Sequence, residues 1–417
     1  MNILLLQGPL GSFFQVLGNQ LIRQQHQVYK IDFNGGDQSW PINGHNQAFQ
    51  GPVNEWSAYL KHHLQLWSID AVICFGDCRF YHKQAAGLCQ QLKLAFWVLE
   101  EGYIRPDFIT FEPQGVNAYS PLYPIAQQLS EHALPIIDND EQDYITVGKT
   151  FSKRAYFASR YHILRTLKAK HFKHYNNHRP WNVYQEAFSW VKGGILKLFR
   201  KSPDRQLMQR LRQTSAKLFF VPLQVSEDFQ IRQHSDLSSI TDMINRVMSS
   251  FSQFAPHNSQ LIFKHHPMDR GFVCYKKQIN ALIDKYQLHA RVHYAYELPL
   301  PPLYPLLTGV ITINSTVGLS ALHHNVPTCC LGRALYNLKG LTHQSGLDRF
   351  WNHPTMVSEA SYQCLQQALR QYTQVNGSFF KYQAHTAHKI IAQIETAHYQ
   401  ALHTHTEPTR SLAIKSA

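Results

Sequence analysis

The chain has 417 residues and a mass of 48.2 kDa, with 44% hydrophobic and only 16% charged residues. That balance excludes a disordered polyelectrolyte and supports large buried cores, and the length suits two domains better than one. Forty Lys and Arg against 27 Asp and Glu leave +13, with 25 His that add charge below about pH 6.5, so an anionic partner is expected: nucleic acid, an acidic membrane face or a phosphorylated substrate.

Asn2–Gln7 is an apolar run, followed by Gly8-Pro9-Leu10-Gly11 and by Phe13, Phe14, Leu17, Leu21 and Ile22 at helical spacing, which reads as strand, glycine turn, helix. Gln27–Asn34 alternates as a second strand and ends at Gly35-Gly36-Asp37. Ala71–Phe75 predicts a third strand, Tyr81–Leu92 its helix and Ala95–Leu99 a fourth strand. Between Lys149 and Arg212 the pattern becomes long basic helices with a break around Asn176–Pro180. A second alternating block follows, with strands at Lys217–Leu223, Leu261–Lys264, Arg291–Tyr294, Gly309–Ile313 and Thr328–Leu331. Its helices fall near Ser238–Phe254, Tyr275–Tyr286 and Val317–His324, and two further helices, Ser358–Leu369 and Thr386–Ala401, precede a polar tail.

The expected fold class is therefore α/β and GT-B-like: two Rossmann-like, doubly wound domains at 1–148 and 213–357, a basic helical connector at 149–212, and C-terminal helices at 358–417 that return to the first domain. In such sheets ligands bind beyond the carboxyl ends of the strands. The connector carries +14, which leaves −1 for the rest of the chain. Its lysines and arginines are interleaved with aromatics, the pattern of an interfacial amphipathic helix on anionic lipid, with Lys192, Lys197, Arg200 and Lys201 as candidate contacts. A solvated basic face is the plainer alternative. No RRM, KH or zinc-finger signature supports nucleic acid.

Seven cysteines without paired CxxC spacing argue against a disulfide framework or a zinc ribbon. The start MNILLLQGPLG has no basic n-region, and no stretch approaches the roughly 18 apolar residues of a membrane span, so a cytoplasmic place is expected.

Three constellations point to chemistry. Lys264-His265-His266-Pro267 follows a strand directly and offers donors to a phosphate, with one of the two imidazoles facing a ligand. Asn314-Ser315-Thr316-Val317-Gly318 runs from a strand into a helix, whose capped N-terminus aims free N–H groups at an anion. Carboxylates lie at Glu227-Asp228, after Gln224 and before Arg232, and at Glu100-Glu101, before Arg105. Only one of Glu100 and Glu101 is expected to enter the cleft, because adjacent strand residues alternate faces. The glycine turns make no GxGxxG fingerprint, so no dinucleotide is inferred.

The ordered segments LLLQGPLGSFF, YKIDFNGGD, VICFGDCRFYHKQA, WVLEEGYIRPDFITFE, FVPLQVSEDFQIRQHSDL, FKHHPMDRG and TINSTVGLSALHHNVPTCCLGRALYNLKGLTHQSGLDRFW span Met1 to Trp351. Together they resemble the capsular polysaccharide biosynthesis proteins of the KpsS/LipB type. The resemblance implies a retaining β-Kdo glycosyltransferase that takes Kdo from CMP-Kdo and places it on (lyso)phosphatidylglycerol, at the inner face of the cytoplasmic membrane and alongside other capsule assembly proteins. It implies Asp228 as nucleophile and Glu100 or Glu101 as general base. His266, Ser315 and Thr316 would hold the CMP phosphate without a metal or other cofactor, while Arg105, Arg232 and Lys264 are candidates for the Kdo carboxylate. Gln224, His265, Pro267, Asn314 and Gly318 complete the expected donor site, and Gly8, Gly11, Asn34, Gly35 and Asp37 the acceptor-side loops. Competing classes are another nucleotide-sugar transferase of sialyl or heptosyl type, and a non-catalytic membrane-bound adaptor of capsule export.

Overall fold

The computed structural model describes residues 1–124, 144–176, 183–226, 231 and 235–404. Apolar runs buried on both faces build two parallel sheets, as expected for strands sandwiched between helices. In the first, β1 (Asn2–Leu5), β2 (Gln27–Asp32), β3 (His45–Ala48), β4 (Ala71–Phe75) and β5 (Ala95–Glu101) lie in the order β3-β2-β1-β4-β5, all parallel. Two antiparallel strands extend its β5 edge: β6 (Phe108–Pro113), then a strand from near the end of the chain. Helices α1 (Phe13–Arg23), α2 (Trp56–Leu66) and α3 (Phe80–Leu92) connect the parallel strands.

After α4 (Phe151–Leu167) and α5 (Val183–Gln213), the second sheet repeats the winding. Strands β7 (Lys217–Pro222), β8 (Ser259–Lys264), β9 (Val292–Ala295), β10 (Gly309–Thr312) and β11 (Thr328–Cys330) lie in the order β9-β8-β7-β10-β11, again all parallel. Its helices are α6 (Ile240–Phe254), α7 (Lys276–Tyr286) and α8 (Thr316–His323), then the short α9 (Leu347–Phe350). Two doubly wound sheets of identical order are the GT-B plan, and each order reverses at one point, β1/β4 and β7/β10, where a crevice opens at the strand ends.

The chain then crosses back. Helix α10 (Glu359–Tyr372) leads into β12 (Gln374–Asn376), which pairs with β6 in the first sheet, and α11 (Gln383–Thr404) packs on α1. Ile390, Ile391 and Ile394 share one core with Phe13, Leu17 and Leu21, and Phe379 sets its ring 5.1 Å from that of Phe13. The sequence pattern predicts the returning helix, but not β3, β6 or β12. β3 is polar (HNQA), and β12 has three residues whose partner strand lies far away in the chain.

The basic connector is built into both domains. Helix α4 lies across the ends of β1 and β2, with Tyr161 buried and Phe157 packed against the first core. Helix α5 contributes Leu207, Met208 and Leu211 to the core under the second sheet. The Arg200 guanidinium lies 3.6 Å from the centre of the Tyr296 ring, so this expected lipid contact is turned onto the protein. The expected break at Asn176–Pro180 lies largely outside the described residues, as do the Lys197 and Lys201 side chains. Among the described residues no helix is long and apolar enough to cross a membrane.

Candidate active site

On the first sheet, β5 ends in Glu100 and Glu101, and alternation separates them. Glu101 pairs with Arg154 of α4, whose guanidinium also stands 5.1 Å from the centre of the Phe380 ring. Glu100 turns toward the loop after β4: a Cβ on Gly76 would sit 3.3 Å from its Oε2. Gly76 holds φ +74, where glycine avoids steric cost. Both Arg154 and Arg105 feel the charge of Glu100. Arg105 is exposed and donates its Nε to the Gly102 carbonyl at 2.9 Å.

The expected acceptor-side loops are filled by α4 instead of standing open. A Cβ on Gly11, at φ +112, would sit 2.8 Å from the Phe157 ring, and one on Gly35 would strike the Leu164 carbonyl. A Cβ on Gly8 would sit 2.6 Å from the Phe14 ring of α1. Asn34 and Asp37 are buried and bonded to one another and to Tyr161, with Gln7 donating its Nε2 to Asp37 at 3.1 Å. Burial pushes the Asp37 carboxyl above its ordinary value. Four of these five residues seat α4, and for Gly11 and Gly35 that role demands the same close approach as a ligand loop, while Gly8 makes room for Phe14 of α1.

On the second sheet, Gln224 after β7 donates to Asn314 Oδ1 at 2.8 Å and accepts from the Asn314 amide at 3.2 Å. That reciprocal pair ties the ends of β7 and β10 at the crevice. Glu227, Asp228 and Arg232 lie outside the described residues. The loop that leads to them is anchored by Asp269, which accepts the Ser226 amide at 2.7 Å.

The structure divides the histidine pair. His265, counted in the expected donor site, is buried at 1% exposure, its Nδ1 2.7 Å from the Tyr294 hydroxyl, as the structural member of the pair. Burial pushes its imidazole down to about 4, so it is neutral near pH 7. His266 is half-buried, and its Nδ1 accepts the Met268 amide at 3.2 Å, capping a single turn that starts at the exposed Pro267. An Nδ1 that accepts leaves the neutral ring's proton on Nε2, a donor suited to phosphate. Lys264 is half-buried; burial lowers its ammonium from its ordinary value against the opposing field of Glu297. His266→Ala is expected to weaken CMP binding about 10- to 100-fold, the cost of one hydrogen bond to a charged group, with an unchanged melting temperature. Titration calorimetry with CMP reads this directly, and unchanged affinity excludes the role.

Ser315 caps α8 by accepting the Val317 amide at 3.2 Å, which leaves the Thr316 end of the helix at the same strand edge as His266. Its carbonyl accepts the Tyr336 hydroxyl at 2.5 Å. Gly318, expected at the ligand, is buried because any side chain there would collide with Tyr336. The two halves meet at this helix: Tyr103 and Ile104, just after Glu100 and Glu101, pack against the cluster holding Leu319, Leu322 and Tyr336. Gln374 of β12 fixes that loop by accepting the Tyr103 amide at 2.9 Å.

A family model described as "Capsule polysaccharide biosynthesis protein" matches residues 70–380, which include both strand-end constellations. The chain belongs to this family. The capsule polysaccharide modification protein LipB of Neisseria meningitidis serogroup A is 37% identical over 383 residues, 91% of each chain. The capsule polysaccharide export protein KpsS of Escherichia coli is 35% identical over 381 residues, 90% of this chain and 96% of its own. Among solved structures, the KpsC β-Kdo 2,7 transferase of Thermosulfurimonas dismutans aligns over 95% of this chain and all of its own, at 12% identity and a TM-score of 0.46.

Within this family member, sequence reasoning missed Arg154, Asp269 and Tyr336. Each acts on a residue far away in the chain: Arg154 on Glu101, Asp269 on Ser226 and Tyr336 on Ser315. No local pattern marks such partners.

Proposed function

We propose that the protein is a retaining β-Kdo transferase that moves Kdo from CMP-Kdo to lysophosphatidylglycerol and so starts a lipid-linked capsule linker. The observation that carries this reading is the interdomain contact that packs Tyr103 and Ile104, in the loop after Glu100, against Leu319 and Leu322 of α8, whose capped start lies at the carboxyl ends of the same parallel sheet as His266. Asp228 attacks the anomeric carbon as the bond to CMP breaks. The acceptor hydroxyl, losing its proton to Glu100, then displaces the carboxylate. His266 and the α8 N-terminus meet the charge that develops on CMP, so the reading requires no metal ion. A panel of nucleotide sugars offered with lysophosphatidylglycerol tests it: turnover with CMP-Kdo alone supports it, turnover with a sialyl or heptosyl donor replaces the donor, and none with any donor favours an adaptor.

The same reading places the protein at the inner face of the cytoplasmic membrane, and α4 is the element suited to it. Tyr156, Ile163 and Leu167 repeat at helical spacing and are 60%, 57% and 72% exposed. Residues 149–173 hold eight Lys and Arg and no acid, and Lys153 borders the apolar stripe, while Arg160 stands over the Trp40 ring. Replacing Tyr156, Ile163 and Leu167 with Ser is expected to reduce co-sedimentation with phosphatidylglycerol vesicles at least about tenfold. Undiminished co-sedimentation leaves this face merely solvated.

A further inference from the structure

We propose that a groove beside α3 receives the acyl chain of the lipid acceptor, a proposal that rests on the lipid-acceptor reading above. The groove has a volume of about 800 Å³ and is walled by Ala86 and Gly87 of α3, Leu94, Phe96 of β5 and Pro113 at the end of β6, with Lys83 on the same helix stripe and Lys93 just past the helix's end. That volume falls in the range of about 300–1,000 Å³ typical of small-ligand sites. It exists because β5 and β6 extend the sheet past α3, leaving part of one sheet face without a helix above it.

Three features identify the occupant. The walls are mainly apolar, and Gly87 is a mid-helix glycine whose Cβ position has no atom within 4 Å, so it opens the groove without serving a close packing contact. One end lies at Asp77, next to Gly76 and so beside the Glu100 carboxylate. Asp77 is itself held by the Val116 amide at 3.0 Å. Lys83, in the first turns of α3, places a cation at that same end, where the helix N-terminus also favours negative charge. A single-chain phospholipid fits the apolar wall that runs between Lys83 and Lys93: chain along Ala86, Gly87 and Phe96, phosphate near Lys83, and the reacting hydroxyl beyond it toward Glu100.

Gly87→Leu fills the groove from a position with open space, so the fold is expected to survive, as an unchanged melting temperature will verify. Binding of lysophosphatidylglycerol below its micelle concentration is measured by equilibrium dialysis on the full chain, without donor. The expected result is at least tenfold weaker binding by Gly87→Leu, while Lys83→Ala weakens lysophosphatidylglycerol but not lysophosphatidylcholine. Equal binding by wild type and Gly87→Leu, or no binding by wild type, overturns the groove. If lysolipid binding follows the groove yet no Kdo product forms, the transfer reading fails and the groove stands. If product forms equally well with both proteins, the reverse holds.

Discussion

Asp228→Asn is expected to abolish Kdo transfer, by more than about 10⁴-fold, while CMP binding stays within about twofold of wild type. The expectation follows from retention: a double displacement needs a carboxylate whose charge forms the covalent adduct, and an amide of the same shape supplies none. On the way from β7 toward Asp228 the chain is anchored at Gln224, by Asn314, and at Ser226, by the Asp269 carboxylate. Because the phosphate contacts assigned to His266 and α8 do not involve this carboxylate, binding and turnover separate. Single-turnover kinetics with calorimetry reads both quantities. Near-normal turnover by the variant would remove Asp228 from the mechanism.

Glu100→Gln carries the second large effect, a loss of about 10²–10⁴-fold in kcat, the usual contribution of a positioned general base. Glu101→Gln is expected to cost much less. Glu101 is in a direct ion pair with Arg154, and a carboxylate in a tight ion pair is a poor proton acceptor; Glu100, though within the field of Arg154 and Arg105, turns its carboxylate toward the Gly76 turn at the strand ends. The two variants are compared at saturating donor with varied acceptor. A greater loss in Glu101→Gln exchanges the two roles.

Several of the charges and glycines that read as functional signals turn out to hold the fold. Arg154, Arg165 and Arg200 count equally in the connector's +14, yet one pairs with Glu101, one is buried and one lies over Tyr296. Composition gives their sum and says nothing of where each side chain ends. The glycines after β1 and β2 illustrate the same limit, since a turn that admits a phosphate and a turn that admits Phe157 or Leu164 require the same absent side chain. The buried parallel strands were legible because burial on both faces leaves continuous apolar runs such as AVICF and LFFV. β12 was not legible, because three residues with a single valine between two amides are strand only through pairing with β6. Of the two histidines, residue type and spacing indicated that one faces a ligand and the resemblance pointed to His266; the burial of His265 leaves His266 as the more accessible of the two.

The central claim is the transfer itself. Mass spectrometry of a reaction containing the purified full chain, CMP-Kdo and lysophosphatidylglycerol tests it most directly. The expected product is heavier than the acceptor by one anhydro-Kdo unit, formed by wild type and absent with Asp228→Asn. An unmodified acceptor, or the same product from the variant, contradicts it.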